Sequence, residues 1–109
     1  MLYSFSISNH PIMSKKQTKY IRKIISNMFS TIPYYDAEYI IISAQSPHLK
    51  HLPISIATWL CSISYIRHNY TDYDSLLQKG FGKEAARYYT AQQINDILHK
   101  WQSTKQLNE

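Results

Sequence analysis

The stretch ISIATWLCSISYIRHN, residues 54–69, decides the fold of this chain. Apolar and aromatic residues recur along it, and on to Tyr70, at intervals of three, one, three, three and four residues. This spacing follows one face of an α-helix and not the strict alternation of a strand. We therefore predict a central core helix that begins after Pro53 and buries one broad stripe, formed by Ile56, Trp59, Leu60, Ile63, Ile66 and Tyr70.

Helical patterns continue on both sides of this segment. Upstream, we predict helices over residues 14–30 and 33–45, followed by a loop over residues 46–52. Downstream, a short helix opens at Thr71 and closes at Gly80, and the last helix covers residues 83–102. The fold class is therefore all-α, a compact single-domain bundle of four to five helices. The apolar faces are Ile21, Ile24, Ile25 and Met28 in the first helix, and Ala86, Ala91, Ile94, Ile97, Leu98 and Trp101 in the last.

The composition limits the cellular setting. With 109 residues the chain has room for one domain, and 44% hydrophobic residues supply its core. The single cysteine, Cys61, can form no internal disulfide, which favours a reducing compartment such as the cytoplasm. No apolar run approaches the ~20 residues that cross a bilayer, so we expect no membrane insertion.

The domain division follows from where the helical pattern begins and ends. Residues 1–12 precede a Lys-rich stretch that opens the first helix, and we expect them to be a disordered extension or a mis-called start. Residues 13–102 form the helical domain, and residues 103–109 form a frayed tail.

One motif carries a family resemblance. The segment IRHNYTDYDSLL, residues 66–77, is followed by Gly80, by Ala86-Arg87 and by ILHKW at residues 97–101. This pattern resembles the bacterial family known as domain of unknown function 2293, whose members look like IRHxxTDYDxLLxxG followed by AR and a terminal LxxW. The likeness covers roughly residues 20–102. It implies a compact helical domain with no established activity, substrate or cofactor, so no catalytic residue is carried over.

The same motif concentrates polar residues at the predicted corner between two helices. Arg67 projects along the apolar stripe of the central helix, where a guanidinium needs a partner, and Asp72 or Asp74 could offer a bidentate contact. Thr71 and Asp74 match a capping box for the next helix. The structural interpretation is a polar staple that fixes the corner. The residues concerned are Arg67, His68, Thr71, Asp72, Tyr73 and Asp74.

A catalytic interpretation of this corner stays open beside the structural one. His68, Asp72 and Asp74 are residue types that serve as general acids, general bases or metal ligands. His48 and His51 could join His68 around a metal, although histidines in a Pro-bounded loop are more often solvent-exposed. No HExxH, paired-cysteine, P-loop or GxSxG pattern occurs, so we predict no cofactor and no metal site.

Two basic groups raise the question of an acidic partner, since the formal net charge is +5. The first group falls on the side of the first helix opposite its apolar face, and the second interleaves cations with Tyr88 and Tyr89. Each group could equally be a solvated face. The first group is Lys15, Lys16, Lys19, Arg22 and Lys23, and the second is Lys79, Lys83 and Arg87.

Three functions follow in order of preference. The first is a non-enzymatic module that binds nucleic acid through the basic first helix. The second is a protein-interaction or assembly module, such as a homodimer, that uses exposed aromatic residues. The third is an enzyme centred on His68, Asp72 and Asp74. The aromatic residues of the second hypothesis are Tyr34, Tyr35, Tyr88 and Tyr89.

Overall fold

The structure, a computed structural model, describes residues 15–108 and contains five α-helices within that range. The predicted extension at residues 1–12 and the predicted N-cap Ser14 lie outside the described residues. A short 3₁₀ turn, Pro47–Leu49, lies between the second and third helices. The all-α prediction with four to five helices is confirmed. The helices are α1 Lys15–Met28, α2 Tyr34–Ala44, α3 Ile54–Tyr70, α4 Tyr73–Gln78 and α5 Lys83–Lys100.

Proline and glycine set most of the helix boundaries. Pro33 and Pro53 stand immediately before α2 and α3, where an extended backbone leads into the first turn. Gly82 holds the same position before α5. Gly80 follows α4 with a φ of 98°, a conformation that glycine adopts without steric cost. These local signals explain why the predicted and observed bounds agree closely.

The central helix α3 packs against α1, α2, α4 and α5, while α1 also packs on α2 and α4 on α5. The C-terminal end of α1 is tied to the C-terminal end of α5 through backbone hydrogen bonds. Thr31 N–H donates to the carbonyl of Trp101 at 3.2 Å, and Thr104 N–H donates to that of Met28 at 3.0 Å. The buried core joins four helices and the α1 and α5 ends: Ile21, Ile25, Phe29, Ile40, Ile41, Ala44, Ile63, Ile66, Ile94, Leu98 and Trp101.

The predicted core stripe of α3 is wrong at three positions. Ile56, Leu60 and Tyr70 are 47%, 48% and 42% exposed. Because helices contact α3 from several directions, its buried sector shifts toward small residues that let neighbouring backbones approach. Buried Thr58 and Ser62 are tolerated because each hydroxyl donates a 2.7 Å hydrogen bond to the carbonyl four residues earlier.

Residues 103–108 lie against the bundle, which differs from the frayed tail expected there. Leu107 N–H donates to the Asn95 side chain at 2.8 Å, and the Asn95 amide donates back to the Leu107 carbonyl at 3.1 Å. The Lys105 ammonium lies 4.3 Å from the Trp59 ring centroid. The Asn95 side chain thus satisfies both backbone polar groups of Leu107 and ties this part of the chain to α5.

Among residues 15–108, none of the helices combines the length and the apolar character needed to span a membrane.

Candidate nucleic-acid interface

Helix α1 presents its basic side to solvent. This basic side of α1 is formed by Lys15, Lys16, Lys19, Arg22 and Lys23, and all five are exposed. Arg22 bonds to the carboxylate of Glu38 on α2, and this hydrogen bond is the main reason that the Arg22 pKa is raised. The four lysines form no ion pair with any other residue in the described range. Their charges are therefore available to an external anion.

An aromatic ring lies among these lysines. Tyr20 is 57% exposed and lines a surface hollow of about 680 Å³ together with Lys16, Gln17, Lys19 and Lys23. Tyr20 is four residues after Lys16 and three before Lys23, so the three side chains share one side of the helix. The sequence reasoning missed Tyr20, although this spacing was sufficient to find it.

A pair of tyrosine rings borders the basic side of α1 on the side away from Tyr20. Tyr34 and Tyr35 at the start of α2 are 69% and 85% exposed, with ring centroids 5.9 Å apart in an edge-to-face arrangement. Tyr34 is close enough to Arg22 to interact with it electrostatically. The ion pair between Arg22 and Glu38 thus brings the start of α2 beside the basic side of α1.

The second predicted basic group lies at the end of α4 and on α5. Lys79, Lys83 and Arg87 are exposed, and we call them the α4–α5 basic group. Tyr88 and Tyr89 are also exposed, with centroids 5.4 Å apart, and Tyr89 meets Phe81 edge to face at 5.9 Å. Both the cations and the rings of this predicted group therefore lie at the surface.

The polar side chains of the α3–α4 corner, residues 67–74, contact several different partners. The Arg67 guanidinium carbon lies 5.6 Å from the centroid of the Tyr73 ring. Asp74 bonds to His68 Nδ1 at 2.9 Å, and Asp72 bonds to Gln93 of α5. Each of the two carboxylates predicted to contact Arg67 thus has a further partner, Gln93 for Asp72 and His68 for Asp74.

Thr71 caps the corner without the predicted capping box. Its hydroxyl donates to the Arg67 carbonyl at 2.5 Å and accepts from the Tyr73 N–H at 3.1 Å, two residues further on. A capping box would require the N–H of Asp74 as donor to Thr71, and an Asp74 carboxylate turned back to the Thr71 N–H. Asp74 is held by His68, so the capping-box prediction is wrong. Gln93 fixes the corner to α5 by accepting from the Asp72 N–H at 3.0 Å.

The corner offers a pair of groups for proton transfer, and not the predicted trio. His68 and Asp74 are both about half exposed, and the edge of the His68 ring meets Tyr73 at 5.5 Å between centroids. An imidazole held at Nδ1 by a carboxylate can exchange a proton at Nε2. Asp72 takes no part in this pair, because its side chain accepts from Gln93. In residues 15–108 no three His, Cys, Asp or Glu side chains are grouped to hold a metal ion.

The sequence reasoning did not predict that one carboxylate is buried and bonded to two tyrosines. Asp36 near the start of α2 is 4% exposed. Tyr70 Oη donates to its two oxygens at 2.9 and 3.0 Å, and Tyr65 Oη donates to one of them. We call these three residues the Asp36 cluster. The partners are 29 and 34 residues from Asp36 in the chain, and no local spacing rule reveals such a pairing.

The Asp36 cluster should make the free energy of unfolding decrease at alkaline pH. Burial, together with the hydrogen bond to the Asp36 carboxylate, raises the pKa of Tyr65 and of Tyr70. A tyrosine with a raised pKa in the folded state stabilises the fold fully below the ordinary tyrosine pKa of 10.0. That contribution is lost as the pH rises above this value, because the unfolded chain releases its phenolic protons more readily.

We therefore expect the stability advantage of the wild type over a Tyr65→Phe/Tyr70→Phe variant to be constant from neutral pH to about 10 and to shrink above it. Urea unfolding of both proteins across this pH range, followed by circular dichroism, measures the difference. An advantage that persists unchanged in the alkaline range would show that the folded state does not raise the pKa of these two phenols.

Comparison with known proteins identifies one family. A model of the family described as Uncharacterized conserved protein (DUF2293) matches residues 24–102. No curated protein and no solved structure matches the chain. The Asp36 cluster, the α3–α4 corner and the α4–α5 basic group lie inside the matched residues, whereas the basic side of α1 precedes them.

Proposed function

The chain belongs to the DUF2293 family of uncharacterized conserved proteins, and for this member we propose a non-enzymatic function in binding nucleic acid through the basic side of α1. Because these five cations precede residue 24, where the family match begins, the proposal concerns this chain and not the whole family. The observation that carries it is the set of four exposed lysines that form no ion pair within the described range, three of which line a surface hollow together with the exposed Tyr20.

Electrostatics supports this assignment. Lysines spaced over about two helical turns lie at distances that allow several contacts with successive backbone phosphates. Each phosphate neutralised by a lysine releases condensed counterions, and this release drives binding at low salt. Arg22 contributes less, since Glu38 already neutralises much of its charge. Glu38 pairs with Arg22 and with none of the four lysines, so all four lysine charges can act on the same nucleic acid.

We expect the affinity for nucleic acid to fall steeply with salt, and to do so less steeply in a Lys16→Gln/Lys19→Gln/Lys23→Gln variant. Loss of three phosphate contacts should reduce the slope of log affinity against log salt by roughly 2 to 3. Fluorescence anisotropy with labelled oligonucleotides across a salt series measures both slopes.

The α4–α5 basic group supplies the matched control. A Lys79→Gln/Lys83→Gln/Arg87→Gln variant removes the same number of charges from exposed positions, one just after α4 and two on α5. A slope that falls only in the α1 variant supports the proposal, and a fall in both variants would assign the α4–α5 basic group as a second contact region. Binding that keeps its full slope in the α1 variant contradicts the proposal.

The second candidate function, a protein-interaction or assembly module, is favoured by the two exposed tyrosine pairs. Tyr34 with Tyr35 and Tyr88 with Tyr89 present large aromatic areas to solvent, and tyrosine is enriched at protein interfaces. Sedimentation velocity over a concentration range distinguishes a monomer from a homodimer. The cytoplasm remains the proposed location, because the single cysteine, Cys61, can form no internal disulfide and suits a reducing compartment.

A further inference from the structure

We infer that the nucleic acid bound on the basic side of α1 is single-stranded, with one base stacked on the Tyr20 ring. This inference rests on the proposed function and specifies its ligand. The hollow that contains Tyr20 is lined by three lysines, so a ring and several cations face the same volume. A phosphate and the base attached to it are separated by only a sugar, and a single strand can present both to such a surface at once.

The exposure of Tyr20 is the feature that needs an explanation. The side chain is 57% exposed, and within residues 15–108 its ring stacks on no other ring. Ile21 and Ile25 of the same helix are buried in the core, so Tyr20 lies outside the packed face of α1. Its ring therefore remains available to an external partner with a flat surface.

The arrangement on the far side of the lysines extends the same pattern. Tyr34 and Tyr35 are exposed beside Arg22, so aromatic rings border the basic side of α1 on two sides. A strand that crosses the lysines meets Tyr20 on one side and Tyr34 on the other. This order of ring, cations and ring matches the way proteins hold single strands, through backbone charge with bases stacked on aromatic side chains.

A duplex fits this surface less well. In a double helix the base faces are stacked on one another, and only base edges are accessible in the grooves. Tyr20 could then contact a sugar or phosphate, but its ring would have no base to stack on. The lysines alone would bind a duplex, which is why Tyr20 distinguishes the two kinds of ligand.

The test compares single-stranded DNA, single-stranded RNA and duplex DNA of one length by fluorescence anisotropy at one salt concentration. We expect the protein to bind both single strands more tightly than the duplex. Tyr20→Leu should weaken single-strand binding by roughly fivefold to a hundredfold, with the salt slope unchanged. Tyr20→Phe keeps the ring and should bind like the wild type, and Tyr88→Leu serves as the matched control at an exposed tyrosine of α5.

Two results would overturn the inference while leaving the proposed function intact. One is a duplex affinity equal to or above that of the single strands, and the other is single-strand binding unaffected by Tyr20→Leu. Absence of salt-dependent binding to all three ligands overturns the proposed function itself and the inference with it. Circular dichroism of each variant checks that the helices are retained.

Discussion

Replacing Phe29 by alanine is expected to lower the free energy of unfolding by about 3 to 5 kcal/mol. Phe29 is fully buried where α1 ends, with its ring 5.4 Å from that of Trp101 in an edge-to-face contact and 6.3 Å from that of Trp59 in a stacked one. Truncation removes the transfer free energy of the ring and leaves a cavity where α1, α3 and the end of α5 meet. Urea unfolding monitored by circular dichroism measures the loss.

Phe81→Ala provides the matched control. Phe81 is a partly exposed ring whose described ring contact is with Tyr89, so its truncation should cost well under half as much. Phe29→Leu should be intermediate, since leucine fills part of the cavity. If Phe29→Ala costs no more than Phe81→Ala, the end of α1 is not part of the cooperative core.

The second large effect concerns the Asp36 cluster. Asp36→Ala is expected to destabilise the fold by about 2 to 4 kcal/mol, because hydrogen bonds to a charged group contribute about 1.5 to 3 kcal/mol each and Tyr65 and Tyr70 lose a shared acceptor. Tyr70 is partly exposed and recovers some of this by bonding to water, which keeps the expected loss below the sum of two bonds. Thermal and urea unfolding at neutral pH measure it.

A double-mutant cycle separates the hydrogen bonds from the loss of packing. In a Tyr65→Phe/Tyr70→Phe background, Asp36 has lost both phenolic donors, and its replacement by alanine should cost much less or stabilise the protein. Asp36→Asn in the wild-type background keeps one acceptor oxygen and should cost less than Asp36→Ala. An equal cost of Asp36→Ala in both backgrounds would show that the cluster does not couple α2 to α3.

The sequence was sufficient for the features that depend on near neighbours along the chain. Pro33, Pro53 and Gly82 mark helix starts because each restricts or frees its own backbone, and Gly80 marks an end for the same reason. The buried face of α5 followed from its periodicity, because α5 packs mainly through one side. The exposure of the basic side of α1 also follows from the helical repeat, once Ile21 and Ile25 define the buried direction.

The features that the sequence did not reveal depend on which helices meet. The buried side of α3 includes Thr58 and Ser62 in place of Ile56 and Leu60 because several helices surround it, and a single-stripe model cannot represent this. At the α3–α4 corner, each polar group has several possible partners nearby in sequence, and local rules do not determine which of them it bonds. Asp72 bonds instead to Gln93 of α5, which is 21 residues away in the chain.

The same limit applied to the candidate interface. A helical wheel places Arg22 with the lysines, but its positive charge is offset by an ion pair with Glu38, which is 16 residues further along the chain. Two cations that look equivalent in sequence, Arg22 and Lys23, therefore differ in their availability to an external anion.

The central claim is that the basic side of α1 binds nucleic acid, and amide chemical-shift mapping tests it most directly. A short single-stranded oligonucleotide is titrated into isotope-labelled protein at low salt. The account predicts shifts concentrated at Lys16, Lys19, Tyr20 and Lys23 that reverse when salt is added. Shifts confined to the α4–α5 basic group would contradict it, and so would the absence of shifts when the oligonucleotide is in large excess over the protein at low salt.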